Sequence, residues 1–397
     1  MACSNQNSSL LNSNTFVAPP PKASVVVALS GGVDSSVAAA LAVSKGYNVT
    51  AITLQLVDCA NATGVKVCCG AEAIGAARKV CRHLGIEHKV IDCRKEFSEL
   101  ILKYSLEEYA KGRTPNPCVM CNALIKFGLL FDKAAQFGAK YIATGHHTQV
   151  TTKLAISESL PEAAAAFWNT ASSDFPILLK GHDLKKDQSY FLHRLNKKQL
   201  LASWFPIGGY NKEEVRKLAR QYSLPTAERI ESTDACFQEE GYTFAQSLSR
   251  QFDFPLKTGE ILDDSGKFLG KHKGIHNYTI GQRRNLGVNT GYRLWVKEIR
   301  SSTNEVILTA NEDALLANDI IIQDPFWTGQ DSLFNPPDSF HALAKIRYLH
   351  KPALASVKKL ENNRLAITFE EQQRAITSGQ SVVFYLDNLT LGGGWIV

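Results

Sequence analysis

No stretch of the 397-residue sequence approaches the ~20 consecutive apolar residues that a membrane-spanning helix needs, which excludes channels and carriers built on such helices. Charge of one sign is lacking as well. The 44 Lys+Arg face 38 Asp+Glu, and the resulting +6 is compatible with a polyanionic partner without requiring one. The nine cysteines, at positions 3, 59, 68, 69, 81, 93, 118, 121 and 236, are odd in number and scattered. They make no disulfide framework and point to a reducing, cytoplasmic compartment where some thiols are catalytic or bind metal. Met1 to Lys22 has no acidic residue, no arginine and no continuous apolar core, and it carries the triplet Pro19-Pro20-Pro21. It makes a poor signal peptide and a weak transit peptide, and reads as a disordered tail, with organelle import as the alternative. The bulk composition, 44% hydrophobic and 21% charged, is that of a soluble globular chain long enough for two or three domains.

Against these absences stands one dense stretch, Val25 to Ser36, reading VVVALSGGVDSS. Its β-branched run predicts a strand buried on both faces of a parallel sheet, and Val37 to Ala42 opens a helix. Between them Ser30-Gly31-Gly32 turns the chain. Strand, glycine turn and helix N-terminus make a phosphate site, because the first helical N–H groups have no partner within the helix. The common nucleotide loop ends in Gly-Lys-Ser/Thr, and that lysine is missing. Ser30, Asp34, Ser35 and Ser36 stand in its place, offering hydroxyls to phosphate and a carboxylate to Mg²⁺. SGGVDS resembles the signature of the ATP pyrophosphatases, which split ATP to AMP and pyrophosphate while adenylating a substrate oxygen. An ordinary β-turn-α corner is the plainer reading.

Further strands are expected at Val49 to Leu56, His88 to Asp92 and Tyr141 to Gly145, and helices at Ala71 to Leu84, Phe97 to Ala110 and Ala123 to Phe137. Their alternation gives an α/β, doubly wound parallel sheet whose ligands lie at the carboxyl ends of the strands. Ile156 to Phe175 is alanine-rich and reads as a surface insertion; Lys212 to Gln221 reads as an amphipathic helix. From Gly259 onward the texture changes to short strands and turns, with a hairpin at Gly259 to Gly270 and a small antiparallel barrel or sandwich toward the C-terminus. Lys271 to Arg284, KHKGIHNYTIGQRR, is the most basic stretch, and its interleaved Tyr278 and two histidines suit contact with RNA.

Two cysteine-bearing stretches complete the chemistry. In Gly112 to Asn122, GRTPNPCVMCN, the two prolines impose a stiff loop ahead of Cys118-x-x-Cys121, which begins a helical run. The helix dipole stabilises a thiolate there, and thiolate is the nucleophile; a buried structural pair or half of a zinc site would carry the same spacing. Ser232 to Phe237, STDACF, is a polar loop carrying Cys236. Cys59, Cys68 and Cys69 form an incomplete zinc set and read as reduced loop thiols.

Taken in order, SGGVDSS, GRTPNPCVMCN, ATGHH, KKDQSYFL, FPIG, STDACF, GIHNYTIGQRRNLG, KIRY, SGQSVVFY and LGGG resemble the tRNA-specific 2-thiouridylases, the MnmA/TrmU family. The likeness runs from Val25 to the end. It implies a catalytic ATP pyrophosphatase (PP-loop) domain over 23–240 after a tail over 1–22, a central tRNA-binding domain over 241–300 and a C-terminal antiparallel β-barrel over 301–397. It also implies ATP and Mg²⁺, with Ala28, Leu29, Ser30, Gly31, Gly32, Val33, Asp34 and Ser35 at the nucleotide together with Leu54 and Gly145. Asn116, Pro117 and Cys118 would meet the target base, and His146, Lys186, Asp187, Gln188, Arg347, Tyr348 and Gln380 the tRNA. By the family's pattern Cys236 carries a persulfide and Cys121 is the nucleophile that leaves a disulfide between them. A cysteine desulfurase or a relay protein supplies the sulfur, and no membrane is involved. Many members carry Asp where this chain has Cys118. Cys118, Cys121 and Cys236 would then form a three-thiol set able to hold an iron–sulfur cluster of the [4Fe-4S] type. Rival readings are another ATP pyrophosphatase, which would leave Cys121 and Cys236 idle, and a non-catalytic RNA-binding or cluster-carrying protein, against which the intact Ser30, Asp34 and Ser35 count.

Overall fold

The structure is a computed structural model and describes residues 16–57, 71–230, 238, 241–252 and 257–397. In chain order the first strands are β1 (Ser24–Ala28), β2 (Asn48–Gln55), β3 (Glu87–Asp92), β4 (Tyr141–Thr144), β5 (Thr148–Thr152), β6 (Pro176–Lys180) and β7 (Ser203–Trp204). Five of them form a parallel sheet in the order β3-β2-β1-β4-β7. The valines of β1 alternate as a two-faced strand must. Val25 and Val27 pack with Val37, Val80 and Val215 on one side, whereas Val26 packs with Ile101, Ile125 and Leu130 on the other.

The helix after β1 begins at Val33, earlier than the apolar run suggested, and continues to Ser44. Gly32 is extended at its N-cap, and the Ser36 hydroxyl and N–H both donate to the Gly32 carbonyl, at 2.8 and 3.1 Å. Asp34, Ser35 and Ser36 therefore belong to the first turn, where an acidic residue and short hydroxyl side chains are favoured. The helix Ala71–Leu84 stands where expected. The next two begin upstream of their expected starts: 94–110 is helical throughout, as is 117–136, with Pro117 in its first turn. Both contain wide, π-type turns, at Ser98–Leu102 and Cys121–Leu129.

A middle sheet is built from β8 (Gly259–Asp263), β9 (Phe268–His272), β10 (Trp295–Arg300) and β11 (Glu305–Thr309) in the order β10-β11-β8-β9. The expected hairpin is β8–β9. The hairpin β10–β11 pairs Trp295–Arg300 with Glu305–Thr309. Tyr278, His272 and His276 belong to the basic stretch that reads as an RNA contact. All three are buried; Tyr278 packs with Ile261, Val296 and Leu308, and its hydroxyl donates to the Leu286 carbonyl at 3.0 Å.

The last strands are β12 (Leu316–Trp327), β13 (Ser339–Lys345), β14 (Ala353–Leu360), β15 (Arg364–Arg374), β16 (Ser381–Leu386) and β17 (Leu389–Ile396). Antiparallel pairing in the order β12-β15-β14-β13-β16-β17, closed by β12 on β17, makes the barrel, and β6 and β5 extend its sheet from β17. The segment Ile156 to Phe175 is not a surface insertion. Phe167, Trp168 and Phe175 are fully buried, and Phe167 stands edge-on to Trp327 and Phe340 of the barrel at 5.5 and 5.1 Å. Ala164 and Ala171 are buried beside these rings, which fill the barrel's core, while Ala163, Ala165 and Ala166 stay exposed. Nor are residues 16–22 a loose tail: Phe16 bridges to Thr151, the Val17 N–H donates to the Val150 carbonyl at 2.8 Å, and Tyr47 donates to the Pro19 carbonyl at 2.8 Å.

Candidate active site

At the carboxyl end of β1, Ser30 is exposed and its hydroxyl lies 3.1 Å from that of Ser35, which also donates to the Gly32 carbonyl at 3.1 Å. The Ser30 N–H donates to Ser35 Oγ at 3.2 Å. Gly31 needs to be glycine twice over: its φ is +76°, and a Cβ there would lie 2.3 Å from the Ala73 carbonyl oxygen. Gly145, after β4, is packed as closely, since its Cβ would lie 2.5 Å from the Ser35 nitrogen. No side chain caps the helix that starts at Val33, which leaves its N-terminal N–H groups to a ligand. Leu29 and Leu54 are buried at the ends of neighbouring strands.

Asp34 is the charged centre of this site. Its Oδ1 accepts from Lys212 Nζ at 2.6 Å and lies 3.6 Å from His147 Nε2. Burial alone would raise the Asp34 pKa, but His147 and Lys212 outweigh it and hold the carboxyl below its ordinary value. An ionised carboxylate beside an uncapped helix start fits a Mg²⁺-bound polyphosphate. Neither Lys212 nor His147 stood out in the sequence as part of the nucleotide site. Lys212 lies 178 positions from Asp34, within a stretch that reads only as an amphipathic helix. The doubled histidine of ATGHH was the sole local signal for His147.

His146 points the other way. Its ring packs 5.7 Å from Phe127 in the helix 117–136, and its Nδ1 is 2.8 Å from Thr144 Oγ1. Burial, with Lys126 and His147 adding to it, pushes its pKa well down, so it is neutral near pH 7. The two adjacent histidines thus connect the nucleotide loop to the thiol-bearing helix.

That helix is entered through a clamped loop. Gln380 Nε2 donates to the carbonyls of Thr114 and Pro115 at 3.1 and 3.0 Å, and the Thr114 N–H donates to the Ser378 carbonyl at 2.8 Å. Asn116 Nδ2 donates to the Tyr190 hydroxyl at 3.4 Å, which itself donates to the Ser381 carbonyl at 3.0 Å. Asn116 is buried, Pro117 and Cys118 are half-buried, and Cys121 is buried one turn on. Three residues apart at a helix start, Cys118 and Cys121 share a face. The wide turn after Cys121 is closed by Gln199, whose Nε2 donates to the carbonyls of Ala123 and Phe127 at 3.0 and 2.9 Å. Cys81 and Cys93 are a contrast: burial pushes both thiols up to about 11, which makes them poor nucleophiles. Cys236, with Ser232 to Phe237, lies outside the described residues, as do Cys59, Cys68 and Cys69. Among the described residues no group of three His, Cys, Asp or Glu is placed to hold a metal ion.

The expected tRNA residues divide. Asp187 is buried and spent on its own loop, accepting from Gly181 N, Ser189 N and Ser189 Oγ at 3.1, 3.0 and 2.9 Å. Gln188 Oε1 accepts from His147 N at 2.9 Å. Lys186, Arg347 and Tyr348 are half-buried; Tyr348 lies 4.4 Å from the Phe191 ring, and Arg347 donates to the Arg374 carbonyl at 3.1 Å. Among the described residues no helix is long and apolar enough to cross a membrane.

A parallel sheet whose central strand turns through glycines into an uncapped helix, with a carboxylate in the first turn, defines a nucleotide-binding domain of the HUP, or PP-loop, class. Family models agree: the tRNA methyl transferase HUP domain matches residues 23–240, the tRNA methyl transferase PRC-barrel domain 251–310 and the aminomethyltransferase beta-barrel domain 317–396. The chain is 40% identical over 375 residues to tRNA-specific 2-thiouridylase MnmA 2 of Thermoanaerobacter sp. (strain X514), covering 94% of this chain and 97% of that one. It is 37% identical over 377 residues to MnmA of Geobacter metallireducens, covering 94% and 96%. The chain belongs to the tRNA-specific 2-thiouridylase family. A fainter likeness, with TM-score 0.33, 20% identity and coverage of 62% of this chain and 67% of the other, is to the U34-tRNA thiolase NcsA from Methanococcus maripaludis, solved with its [4Fe-4S] cluster.

Proposed function

We propose that this enzyme uses ATP to replace the C2 oxygen of the wobble uridine of tRNA with sulfur, releasing AMP and pyrophosphate. One observation carries the reading: His147 faces the Asp34 of the nucleotide loop while its neighbour His146 packs on the helix that presents Cys118 and Cys121. On this reading consecutive residues join the ATP site to the thiol-bearing helix.

The C2 oxygen attacks the α-phosphorus, the bond to the β-phosphate oxygen breaks, and pyrophosphate leaves. Ser30, Ser35 and the N–H groups at the start of the helix hold the phosphates, and Asp34 would hold Mg²⁺, which would supply Lewis-acid charge neutralisation. The oxygen of C2 is now part of a good leaving group. The terminal sulfur of a persulfide on Cys236 attacks C2, and AMP departs with that oxygen. The Cys121 thiolate then attacks the Cys236 sulfur, so the persulfide S–S bond breaks, the transferred sulfur stays on C2 as the thiocarbonyl, and a disulfide remains for a reductant to reopen. Asn116, Pro117 and Cys118 form the wall against the base, held in place by Gln380 and Tyr190. Lys186, Arg347 and Tyr348 face the tRNA. A cysteine desulfurase or relay protein in the cytoplasm supplies the sulfur.

The shared helix face of Cys118 and Cys121 also favours a second reading, in which they and Cys236 hold a [4Fe-4S] cluster. When bound, such a cluster would supply an open iron site for sulfide. Iron and sulfide analysis of an anaerobic preparation separates the two, since activity that tracks iron content belongs only to the second. Adenylation itself is tested with tRNA carrying ¹⁸O at C2 of the wobble uridine. The label is expected in the phosphate of AMP; label lost to water with unlabelled AMP would overturn the proposal.

A further inference from the structure

We propose that Lys212 and His147 are pyrophosphate-binding residues of the nucleotide site, supplying from outside the glycine loop the positive charge that the loop itself lacks and one further hydrogen-bonding group. The assignment rests on the ATP reading above. Two independent observations support it.

Lys212 opens the helix Lys212–Gln221. That is the end at which a cation is unfavourable, because the helix dipole is positive there. The same helix is well capped without it, since Asn211 and Glu214 form a reciprocal capping box and the Lys212 N–H donates to Asp183 Oδ2 at 3.1 Å. Helix stability therefore gives no reason for a lysine at this position. Its side chain is 12% exposed and its ammonium is delivered to the nucleotide loop, 2.6 Å from Asp34 Oδ1.

His147 is the second observation. Its side chain is 3% exposed, and neither ring nitrogen has a hydrogen-bond partner. Its backbone is fixed on both sides, with its N–H donating to Gln188 Oε1 at 2.9 Å and its carbonyl accepting from the Gln188 N–H at 3.0 Å. A buried imidazole held rigidly with both nitrogens unsatisfied calls for a ligand atom. The nearest charged group, Asp34 at 3.6 Å, is beyond hydrogen-bond reach.

Lys212 Nζ already stands 2.6 Å from Asp34 Oδ1 at the nucleotide loop, and its flexible stem can carry the ammonium from that carboxylate to a β- or γ-phosphate oxygen. Charge grows on pyrophosphate as it leaves, so a cation there acts where it stabilises the transition state.

The test is equilibrium binding of MgATP and of AMP to the full chain, in wild type, K212M, K212R and H147N. AMP lacks the two phosphates in question and reports on the fold of the site. K212M is expected to weaken MgATP binding by about tenfold or more, the scale of one lost charge-assisted contact, and to leave AMP affinity within about twofold. K212R keeps most of the ATP affinity, and H147N falls between. The loss of ATP affinity, measured without metal, persists when K212M is placed on D34N. Equal loss of ATP and AMP, or an effect of K212M that vanishes on D34N, would overturn the assignment by making Lys212 a partner of Asp34 alone. Unchanged MgATP binding in K212M would overturn it too. Wild type that binds neither nucleotide would instead remove the ATP reading beneath it.

Discussion

Replacing Gln380 tests how the barrel and the catalytic loop work together. Its amide donates to two consecutive carbonyls, those of Thr114 and Pro115, at the entrance to the thiol helix. Gln380→Ala removes both bonds and leaves two partly shielded carbonyls unpaired. At about 1 kcal/mol for each net hydrogen bond, the bias toward the held loop falls by ~2 kcal/mol, which corresponds to a rate lower by up to about 30-fold. The Ser378 and Tyr190 contacts survive, and neither sheet loses a contact, so the melting temperature should shift by only a few degrees. Gln380→Glu should be worse than alanine, because it aims a carboxylate at two carbonyl oxygens. The assay is single-turnover thiolation beside tRNA affinity by filter binding. The geometry requires the rate to fall while tRNA affinity stays within about twofold. A tRNA affinity that falls as far as the rate would refute the strut and make Gln380 the direct tRNA contact that family resemblance implies.

Other perturbations address separate parts of the molecule. Gly145→Ala puts a methyl group 2.5 Å from the Ser35 nitrogen and should abolish tRNA-dependent pyrophosphate release; near-normal release would show that the end of β4 and the start of the helix at Val33 are not in close contact. Phe167→Ala removes a fully buried ring from the barrel core and should cost about 3–5 kcal/mol in urea unfolding, whereas a cost below 1 kcal/mol would return residues 156–175 to the surface. His193 is buried, and burial, with Arg194 adding to it, pushes its pKa down to about 3. Because the unfolded chain takes up its proton first, stability should be complete above pH ~6.5 and fall as pH drops toward 3, at up to about 1.4 kcal/mol per pH unit. H193N should flatten that slope, and an unchanged profile would assign it to other groups. Cys236→Ala should abolish thiolation yet leave adenylation detectable, and loss of both in a folded variant would contradict the division of labour.

The parallel sheet was legible because Val25 to Leu29 and the glycines after it combine periodicity with turn chemistry, and both are local signals. The start of the helix was not, since Val33 to Ser36 carries no apolar period and its helicity depends on Gly32 accepting from Ser36. Alanine-rich residues 156–175 misled for the reason short apolar runs often do: Phe167 and Trp168 find their partners at Trp327 and Phe340, far along the chain. The histidines and Tyr278 of the basic stretch were read by their charged neighbours, while all three side chains are buried, Tyr278 against β8, β10 and β11. Among site residues, Asp34 and the Cys118–Cys121 pair announced themselves through motif spacing. Lys212 and Gln199 act through contacts that no local pattern encodes.

The most direct test of the whole account is to incubate the purified chain with ATP, Mg²⁺, a reductant, a persulfide donor and unmodified tRNA, then digest the tRNA and weigh its nucleosides. The account requires 2-thiouridine at the wobble position, formed in step with AMP and only when ATP is present. ATP cleavage to ADP, or AMP released without any thiouridine under both persulfide and anaerobic sulfide conditions, would contradict it.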